Sequence, residues 1–441
     1  MADHVHPNRA AIESLQLEQL RSLVAELIPA NKFYTQKLQA AGVGFDIASL
    51  ADFSARFPFT TKAELAADQL SNPPHGTNLT YPLNCYTRFH QTSGTSGTPL
   101  RWLDTPESWD AMIESWSEIF RAAEVGAGDR VMFAFSFGPF LGFWLAFESA
   151  ERLGCLCLPG GGLSSAARLR MMRDNKANVL CCTPTYALRL AEIAAEEKIE
   201  TRSLGIKTIV VAGEPGGSIP ATRAKLESLW PGARICDHHG MTEVGPVTYE
   251  CPQRPGVLHV IESAYFAEVI DPTTGKPAEN GELVLTTLNR TGSPLLRYRT
   301  GDLVTHPPSP GSGATSHAPR TTQPCICGRH DLDLVGGILG RVDDMIIVRG
   351  VNVYPTAVEQ ILRGFADVAE YRAVITRKNS LAELQIEIEP AATCGDVTKL
   401  TARIGQAFET LLALRVPVNA VAAGTLPRFE MKSKRWICDT I

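Results

Sequence analysis

Near the N-terminus, apolar and polar positions alternate with a helical period. Apolar side chains recur at three- and four-residue spacings, first at Ile12, Leu15, Leu20, Leu23, Val24 and Leu27. This stripe predicts an amphipathic helix, and the stretch from residue 11 to residue 70 is mostly helical in pattern. Pro29 should end the first helix because proline cannot continue it, and a second helical stretch is expected after Pro58.

From about residue 130 the pattern changes to short apolar runs that alternate with helical stretches. The runs are at Val131–Phe135, Val179–Cys182 and Thr208–Val211, and the helical stretches include Ser164–Asn175 and Tyr186–Lys198. This alternation predicts an α/β fold, a mixed sheet flanked by helices on both faces. Antiparallel strands are then expected at Ala264–Ile270 and Gly281–Thr286.

The last part of the chain is predicted to form a separate unit. Residues 306–324 are rich in Pro, Gly, Ser and Thr and predict an exposed, flexible loop. After Gly340 the pattern predicts a compact α+β unit of about 100 residues. Its elements are expected at Met345–Val348, Thr356–Arg363, around Val374, at Leu384–Glu389 and at Val397–Leu412.

Composition excludes several classes of function. The 441 residues carry a net charge of −5 with no basic block, so no nucleic-acid partner is expected. Residues 1–13 lack the apolar core of a signal peptide, and the eleven cysteines fit reduced thiols in a cytoplasmic protein. The uncharged run Val131–Phe147 is short for a bilayer span and contains Gly138-Pro139, so a buried strand, loop and helix are expected instead of a membrane segment.

One segment has the composition of a phosphate-binding loop. Every residue is a glycine or carries a hydroxyl in the run Thr92, Ser93, Gly94, Thr95, Ser96, Gly97 and Thr98. Glycines let the backbone approach phosphates closely, and amide and hydroxyl groups then donate hydrogen bonds to the anionic oxygens. No Gly-Lys-Ser/Thr follows, so this is not a Walker loop. The alternative is an ordinary surface turn.

Two acidic residues follow glycine turns downstream. Glu243 follows His238-His239-Gly240-Met241-Thr242 and is a candidate Mg²⁺ ligand, because Mg²⁺ prefers oxygen donors that it shares with nucleotide phosphates. Asp302 follows Tyr298-Arg299-Thr300-Gly301 and is a candidate for binding paired ribose hydroxyls. The alternatives are a surface acid and a hairpin turn.

Three thiols and one imidazole form a candidate metal site. Cys251, His259, Cys325 and Cys327 make up a ligand set suited to structural, tetrahedral Zn²⁺, with His330 as a substitute ligand. The alternative is a pair of reduced surface thiols with His259 hydrogen-bonded nearby.

The motifs also occur in a recognisable order. Thr92–Thr98, His238–Glu243 and Tyr298–Asp302 are followed by Gly340–Asp344 and Arg349–Pro355. Together with Arg56–Lys62 near the start and Pro427–Arg435 at the end, this order resembles the adenylate-forming superfamily of acyl-CoA synthetases, peptide-synthetase adenylation domains and luciferases. The chain is most similar to the phenylacetate–CoA ligase branch, in which relatives can carry a structural metal near the cysteines.

The resemblance implies a large N-terminal domain, residues 1–342, and a small mobile α+β domain, residues 343–441, that pivots at Asp343. It implies that Thr92–Thr98 and Arg341 hold the nucleotide and that Gly350 lies beside the pantetheine tunnel of coenzyme A. It assigns further nucleotide or acyl contacts to Glu214, His238, His239, Gly240, Met241 and Thr242. It identifies Lys432 as the catalytic lysine, with Lys434 as the rival, and Glu243 and Thr92 as the other catalytic groups.

Two departures from the family pattern concern the nucleotide. Arg101 stands where many relatives carry a lysine after the loop proline, so it is a candidate to supply that charge. His239 stands where an aromatic ring, usually tyrosine, is expected.

The expected function follows from this resemblance. We expect ATP- and Mg²⁺-dependent activation of a carboxylic acid to an acyl-adenylate, followed by transfer to coenzyme A with release of AMP and pyrophosphate. The aromatic run from Phe135 to Phe143 favours an aryl or arylacetic acid. The alternatives are transfer to an amine or a carrier-protein thiol, or a non-catalytic nucleotide- or acyl-binding homologue. Analogy with relatives allows a homodimer.

Overall fold

The computed structural model describes residues 6–92, 99–135, 137–306, 323–349, 351–378, 381–430 and 432–439. The chain forms two compact units, each built from two segments. One consists of Met1–Gly162 and Cys236–Gly337, and the other of Leu163–Ile235 and Ile338–Ile441.

The secondary structure is mixed α/β, as predicted. The α-helices in the described residues are α1 Arg9–Leu27, α2 Lys32–Ala40, α3 Leu50–Arg56, α4 Lys62–Ser71, α5 Pro106–Ala122, α6 Leu141–Arg152, α7 Ser165–Asp174, α8 Pro184–Glu196, α9 Pro220–Leu229, α10 Pro355–Arg363 and α11 Val397–Leu412. The strands are β1 Arg88–Gln91, β2 Arg101–Asp104, β3 Arg130–Phe133, β4 Leu156–Pro159, β5 Val179–Cys182, β6 Thr208–Val211, β7 Arg234–Asp237, β8 Gly240–Met241, β9 Gly245–Pro246, β10 Thr248–Glu250, β11 Val257–Val260, β12 Tyr265–Ile270, β13 Asn280–Thr287, β14 Tyr298–Thr305, β15 Asp333–Val335, β16 Gly340–Arg341, β17 Ile346–Val348, β18 Val351–Val353, β19 Val368–Lys378, β20 Leu381–Pro390, β21 Val418–Ala420 and β22 Trp436–Asp439.

Helix α1 confirms the predicted N-terminal helix but not its whole apolar stripe. The Asn8 side chain caps the helix by accepting from the Ala11 amide, and the helix ends at Leu27, before Pro29. Leu15 is 43% exposed, whereas Gln16 is fully buried. Gln16 takes the inward position because its amide donates to two backbone carbonyls, those of Glu262 and Tyr265.

The first unit combines parallel and antiparallel strands. Strands β3 and β4 pair in parallel with α6 between them, so the uncharged run from Val131 forms the expected strand, loop and helix. Strands β12, β13 and β14 form an antiparallel sheet, and β10, β11 and β15 form another. Among the described residues, no helix is both long and apolar enough to cross a membrane.

The second unit contains the predicted α+β elements. Strands β5 and β6 pair in parallel around α8, as their apolar runs indicated. In the C-terminal segment, β19 and β20 form a long antiparallel pair, with β22 parallel to β19 and β21 parallel to β20. Helices α10 and α11 cover this sheet through a core that includes Leu362, Ile404 and Phe408.

The predicted domain division and the compact units differ at residues 338–342, which belong to the unit of the C-terminal segment, and in one longer segment. Residues 163–235 belong to the same unit as the C-terminal segment, not to that of the remaining N-terminal residues. The division after residue 342 therefore stays a prediction about which part of the chain moves. Most of the predicted loop at 306–324 lies outside the described residues.

The buried pair of Arg9 and Glu262 connects α1 to the sheets of the first unit. Glu262 is fully buried and accepts from both terminal nitrogens of Arg9, at 2.5 and 3.2 Å, and from the Leu332 amide at 2.8 Å. Removing the arginine would leave an uncompensated carboxylate in the interior.

We predict that Arg9→Met lowers the free energy of unfolding by about 3–5 kcal/mol, because a buried charge loses its partner. The matched control is Arg152→Met, since Arg152 pairs with Asp110 at 2.6 Å but both side chains are about half exposed. Arg152→Met should lower the free energy of unfolding by only about 0–1 kcal/mol. Urea titration of both variants measures the difference, and equal losses would contradict the prediction.

Candidate active site

The ends of the candidate phosphate loop are held together by a hairpin. Strands β1 and β2 are antiparallel, with Gln91 opposite Arg101. Beyond them, the Thr92 amide donates to the Leu100 carbonyl, and the Leu100 amide donates to the Thr92 hydroxyl, both at 3.0 Å. Ser93, Gly94, Thr95, Ser96, Gly97 and Thr98 lie outside the described residues, so their predicted phosphate contacts stay predictions.

Arg101 makes contacts of its own beside this hairpin. Its guanidinium donates to the Pro74 carbonyl at 2.9 Å, and its backbone exchanges two hydrogen bonds with the Gln69 side chain. These contacts give the arginine a local role, and nothing in them supports the idea that it supplies the charge of the family lysine.

Glu243 lies in the tight turn between β8 and β9, the short strands formed by Gly240–Met241 and Gly245–Pro246. Its side chain is buried, and one carboxylate oxygen is 3.4 Å from the Lys62 ammonium group at the start of α4. Lys62 was not predicted to contact this site. A buried carboxylate beside a lysine can bind a cation if the lysine turns toward another anion, such as a phosphate.

Asp302 lies in a β-bulge of β14. Across the β13–β14 pair, Glu282 is opposite Leu303 but Val284 is opposite Arg299, so the strand from residue 300 to residue 302 bulges opposite a single residue. Gly301 adopts a φ of +77°, which only glycine tolerates readily. Asp302 is buried in phase with the alternation of the strand, which continues through the bulge.

His239 lies against this aspartate. Its Nε2 is 3.1 Å from an Asp302 carboxylate oxygen, and its backbone amide donates to the Thr248 hydroxyl at 2.8 Å. The imidazole therefore occupies the neighbourhood of the candidate ribose site. Histidine replaces the expected tyrosine at this position, and its imidazole can pair with the aspartate.

The candidate acyl region is a partly exposed aromatic wall. Phe135 is buried, while Phe137, Phe140 and Phe143 are half-buried, and Phe135 stacks on Phe143 with ring centroids 4.2 Å apart. Helix α6 starts within this run, at Leu141, and packs against β8 and β9, the strands that flank Glu243. The helix that carries Phe143 therefore packs against the strands on either side of the candidate metal ligand.

His238 extends this wall. Its ring packs edge-on against Trp116, with centroids 4.5 Å apart, and a Cβ on Gly142 of α6 would lie 3.8 Å from the same tryptophan. Burial, with a smaller contribution from His239, lowers the pKa of His238 to about 3. The imidazole is therefore neutral at physiological pH.

Lys432 lies in the second unit. A Cβ placed on Gly213, whose φ is +92°, would be 3.5 Å from the Lys432 Cε atom, so the lysine side chain crosses this glycine. The next residue, Ser433, donates to the Glu214 carboxylate through its amide and its hydroxyl. The assignment of Lys432 or Lys434 as the catalytic lysine stays a prediction.

The candidate hinge residues pair with each other. The Arg341 guanidinium donates to the Asp343 carboxylate at 2.9 Å, in a partly exposed ion pair. Their predicted roles in nucleotide binding and hinge motion are untested. Gly350, predicted to lie beside the pantetheine tunnel, falls outside the part of the chain that the structure describes.

The four candidate zinc ligands come together in the first unit. The ligand atoms of Cys251, His259, Cys325 and Cys327 all lie within 4.8 Å of one another, and His330 is not among them. The Cys251 and Cys325 sulfurs are 3.7 Å apart, and the Cys327 sulfur is 3.6 Å from His259 Nε2. His259 Nδ1 lies 3.3 Å from the Asp331 carbonyl, the kind of contact that orients a metal-binding imidazole.

Comparison with known proteins decides the family. A family model described as AMP-binding enzyme matches residues 88–291, and one described as AMP-binding enzyme C-terminal domain matches residues 350–440. The phenylacetate-coenzyme A ligase of Pseudomonas putida is 30% identical over 438 residues, covering 96% of this chain and 93% of the relative. The chain belongs to the phenylacetate–CoA ligase branch of the adenylate-forming enzymes.

Other relatives agree with this assignment. The phenylacetate-coenzyme A ligase of Thermus thermophilus is 33% identical over 390 residues, covering 86% of this chain and 82% of the relative. A crystal structure of 2-hydroxyisobutyryl-CoA ligase in the postadenylation state matches with a TM-score of 0.90 at 28% identity, covering 99% of this chain and 93% of that one. The same ligase in the thioesterification state gives a TM-score of 0.71 at 29% identity, covering 98% and 90%.

Membership determines the reaction class. This ligase activates a carboxylic acid with ATP to an acyl-adenylate and then forms the coenzyme A thioester, releasing AMP and pyrophosphate. The prediction of an AMP-forming carboxylate–CoA ligase is confirmed, and coenzyme A is favoured over an amine or a carrier protein as acceptor.

Arg290 and Asp104 are supporting residues of the ligase that sequence reasoning missed. The Arg290 guanidinium binds the Asp104 carboxylate through Nε and Nη2, at 2.6 and 2.7 Å, and both side chains are buried. Its Nη1 donates to the Thr242 and Glu243 carbonyls at 3.0 and 2.8 Å. Burial alone would raise the pKa of Asp104, but Arg290 and His90 outweigh it and hold that pKa below its usual range.

We predict that Arg290→Lys raises the Mg²⁺ concentration needed for half-maximal pyrophosphate release by about tenfold, the scale of losing a group that orients a metal ligand. A lysine cannot keep both the bidentate pair and the carbonyl contacts of the Glu243 turn. Mg²⁺ titration of the adenylation step measures the effect.

The matched control is Arg297→Lys. Arg297 is another buried arginine, whose guanidinium pairs with Glu268 through two 3.0 Å contacts and donates to the Phe57 carbonyl, not to the carbonyls of the Glu243 turn. Its Mg²⁺ dependence should stay that of the wild type. The same Mg²⁺ shift in both variants would show that Arg290 has no specific effect on Glu243.

Proposed function

We propose that this ligase acts on an aryl or arylacetic acid. The observation that carries the proposal is the half-buried aromatic wall around Phe137 and Phe143, together with the packing of helix α6, which carries Phe143, against the strands that flank the Glu243 turn. Partly exposed aromatic rings offer a flat apolar surface to an aromatic acyl group, at the place where its carboxylate must meet the nucleotide. The named phenylacetate ligases among its relatives agree with this choice.

In the proposed adenylation step, a carboxylate oxygen attacks the α-phosphorus of ATP, the bond to the bridging oxygen of the β-phosphate breaks, and pyrophosphate leaves. Two anions meet in this step, so catalysis depends on positioning and charge neutralisation. The loop from Thr92 to Thr98 would hold the phosphates, Asp302 the ribose, and Lys432 the α-phosphate and the acyl carboxylate. Mg²⁺ held by Glu243 would supply further positive charge to the phosphates.

In the second step the thiol of coenzyme A attacks the acyl carbon, the mixed anhydride bond breaks, and AMP leaves. His239, paired with Asp302, would contribute to nucleotide binding. The remaining nucleotide or acyl contacts are proposed at His238, Gly240, Met241, Thr242, Arg341 and Gly350, with Asp343 as the hinge. The homodimer and the cytoplasmic location stay predictions.

We predict that an aromatic acid drives pyrophosphate release and that Lys432→Ala lowers the release by about 100-fold, because it removes a charge aimed at the transition state. Pyrophosphate is measured with ATP and Mg²⁺ over a panel of aryl, arylacetic and aliphatic acids, with and without coenzyme A. Lys434→Ala is the matched control and should stay close to wild type.

Each result of this experiment has a clear meaning. A collapse in Lys434→Ala with an active Lys432→Ala would move the catalytic role to Lys434. Release driven best by aliphatic acids would overturn the aromatic substrate class. No release above the ATP-only background with any acid would favour the non-catalytic homologue.

We also propose that Cys251, His259, Cys325 and Cys327 hold a structural Zn²⁺. The donor set supports this proposal, because three thiolates and one imidazole complete a tetrahedral shell and leave no position for a substrate. The hydrogen-bond distance from His259 to the Asp331 carbonyl would place the other ring nitrogen toward the metal.

We predict that the purified ligase contains about one zinc per chain, the stoichiometry of a closed four-ligand site. Cys327→Ser should lose most of the zinc and lower the thermal midpoint, because metal binding is coupled to folding. Cys85→Ser, which changes an exposed thiol outside the cluster, is the control. Metal content is measured by plasma mass spectrometry, and a zinc-free wild-type chain with the same thermal midpoint as zinc-loaded protein would contradict the proposal.

A further inference from the structure

Within the second unit, the C-terminal tail, residues 426–435, docks on residues 163–235 through polar contacts. Glu430 accepts from the Ser165 hydroxyl at 3.2 Å, and the Arg428 guanidinium is 3.6 Å from the Glu192 carboxylate. Nearer to Lys432, the Arg435 guanidinium donates to the Thr185 hydroxyl at 3.3 Å. A polar docking surface is typical of contacts that form and release.

Glu214 is at the centre of this docking surface. One carboxylate oxygen accepts from the Thr185 amide at 2.9 Å, at the N-terminus of α8, where amide groups lack partners within the helix. The other oxygen accepts from the Ser433 amide at 2.7 Å and from the Ser433 hydroxyl at 3.1 Å. A single carboxylate therefore joins a helix end to the residue that follows Lys432.

The lysine is held by two contacts on its C-terminal side in the sequence. Ser433 is bound to Glu214, and two residues further the buried Arg435 binds Glu370 through contacts of 2.7 and 3.1 Å. Thr185 serves both anchors, because its amide binds Glu214 and its hydroxyl binds Arg435. With its neighbours fixed, the Lys432 side chain extends across Gly213.

We propose that Glu214 is a positioning residue for adenylation, which holds Lys432 in place by binding Ser433. This inference rests on the proposed role of Lys432 in the first half-reaction. It gives Glu214 a role different from the direct nucleotide or acyl contact that the resemblance implied, because both carboxylate oxygens are engaged by the chain itself. Thioester formation does not depend on this contact, since its chemistry does not require Lys432 at the α-phosphate.

Glutamine is the informative replacement at this position. Glu214 accepts three hydrogen bonds, whereas the amide of Gln offers a single acceptor oxygen and an NH₂ group. In Glu214→Gln, the NH₂ group must face either the Thr185 amide or the Ser433 donors, and one of these contacts is lost with little change in size. Ser433→Ala removes only the hydroxyl contact and should have a smaller effect.

The test measures the two half-reactions separately. In Glu214→Gln we expect the kcat of adenylation, followed by ATP–pyrophosphate exchange, to fall about 10- to 100-fold, as for lost positioning of a catalytic group. The KM values for ATP and for the acid should change little. The rate of thioester formation from supplied acyl-adenylate and coenzyme A should remain within about twofold of wild type.

Glu192→Gln is the matched control, because Glu192 binds Arg189 at 2.9 Å and approaches Arg428 on the same surface without contacting Ser433. It should keep wild-type adenylation. Equal losses in both half-reactions of Glu214→Gln, or the same adenylation loss in Glu192→Gln, would overturn the proposal.

Amide hydrogen exchange gives a readout that does not depend on activity. Peptides that contain Ser433 should exchange faster in Glu214→Gln than in the wild type and in Glu192→Gln, and unchanged exchange would contradict the proposal. If the wild type makes no adenylate, the proposed function fails. Faster exchange would then support Glu214 as the anchor of the tail, and unchanged exchange would refute it.

Discussion

The candidate nucleotide site depends on one buried ion pair, that of Arg290 with Asp104. Asp104 ends β2, the strand that follows the candidate phosphate loop, and Arg290 lies between β13 and β14, the strand that carries Asp302. The same guanidinium binds the two carbonyls of the Glu243 turn. A buried arginine is tolerated only when its donors and its charge are satisfied, so these contacts must form together. The same ion pair therefore stabilises segments next to three motifs that are far apart in the sequence.

The two units hold their candidate site residues in different ways. In the first, buried contacts hold Glu243 and Asp302, which suits groups that are preorganised around a polyanion. In the second, the segment that carries Lys432 contacts residues 163–235 through hydrogen bonds of Ser433 with Glu214 and of Arg435 with Thr185. Hydrogen bonds to water can replace these contacts, while the buried pair of Arg435 with Glu370 stays within the C-terminal segment. This difference fits the proposed role of Lys432 in one half-reaction only.

Most of the fold could be predicted because its elements follow local patterns. Helix α11 begins and ends at the predicted residues, and β5 and β6 coincide with their apolar runs. The prediction that Leu15 lies on the buried face was wrong and shows the limit of local patterns. Gln16 is buried instead, because it contacts Glu262, which is 246 residues away. The residues of the three candidate motif sites and of the Cys/His cluster could be named from residue type and order. Their supports could not, because Arg290 pairs across 186 residues and Glu214 across 219, and no local pattern encodes such pairings.

The metal cluster belongs to the same architecture. Cys251 follows β10 and His259 lies on β11, while Cys325 comes from a turn 74 residues after Cys251. A bound metal would close this long loop and hold β10, whose first residue binds the backbone of His239. By holding β10, the metal would also restrain His239, the residue paired with Asp302. A metal that takes no part in the reaction would therefore still affect nucleotide binding, through the position of an imidazole.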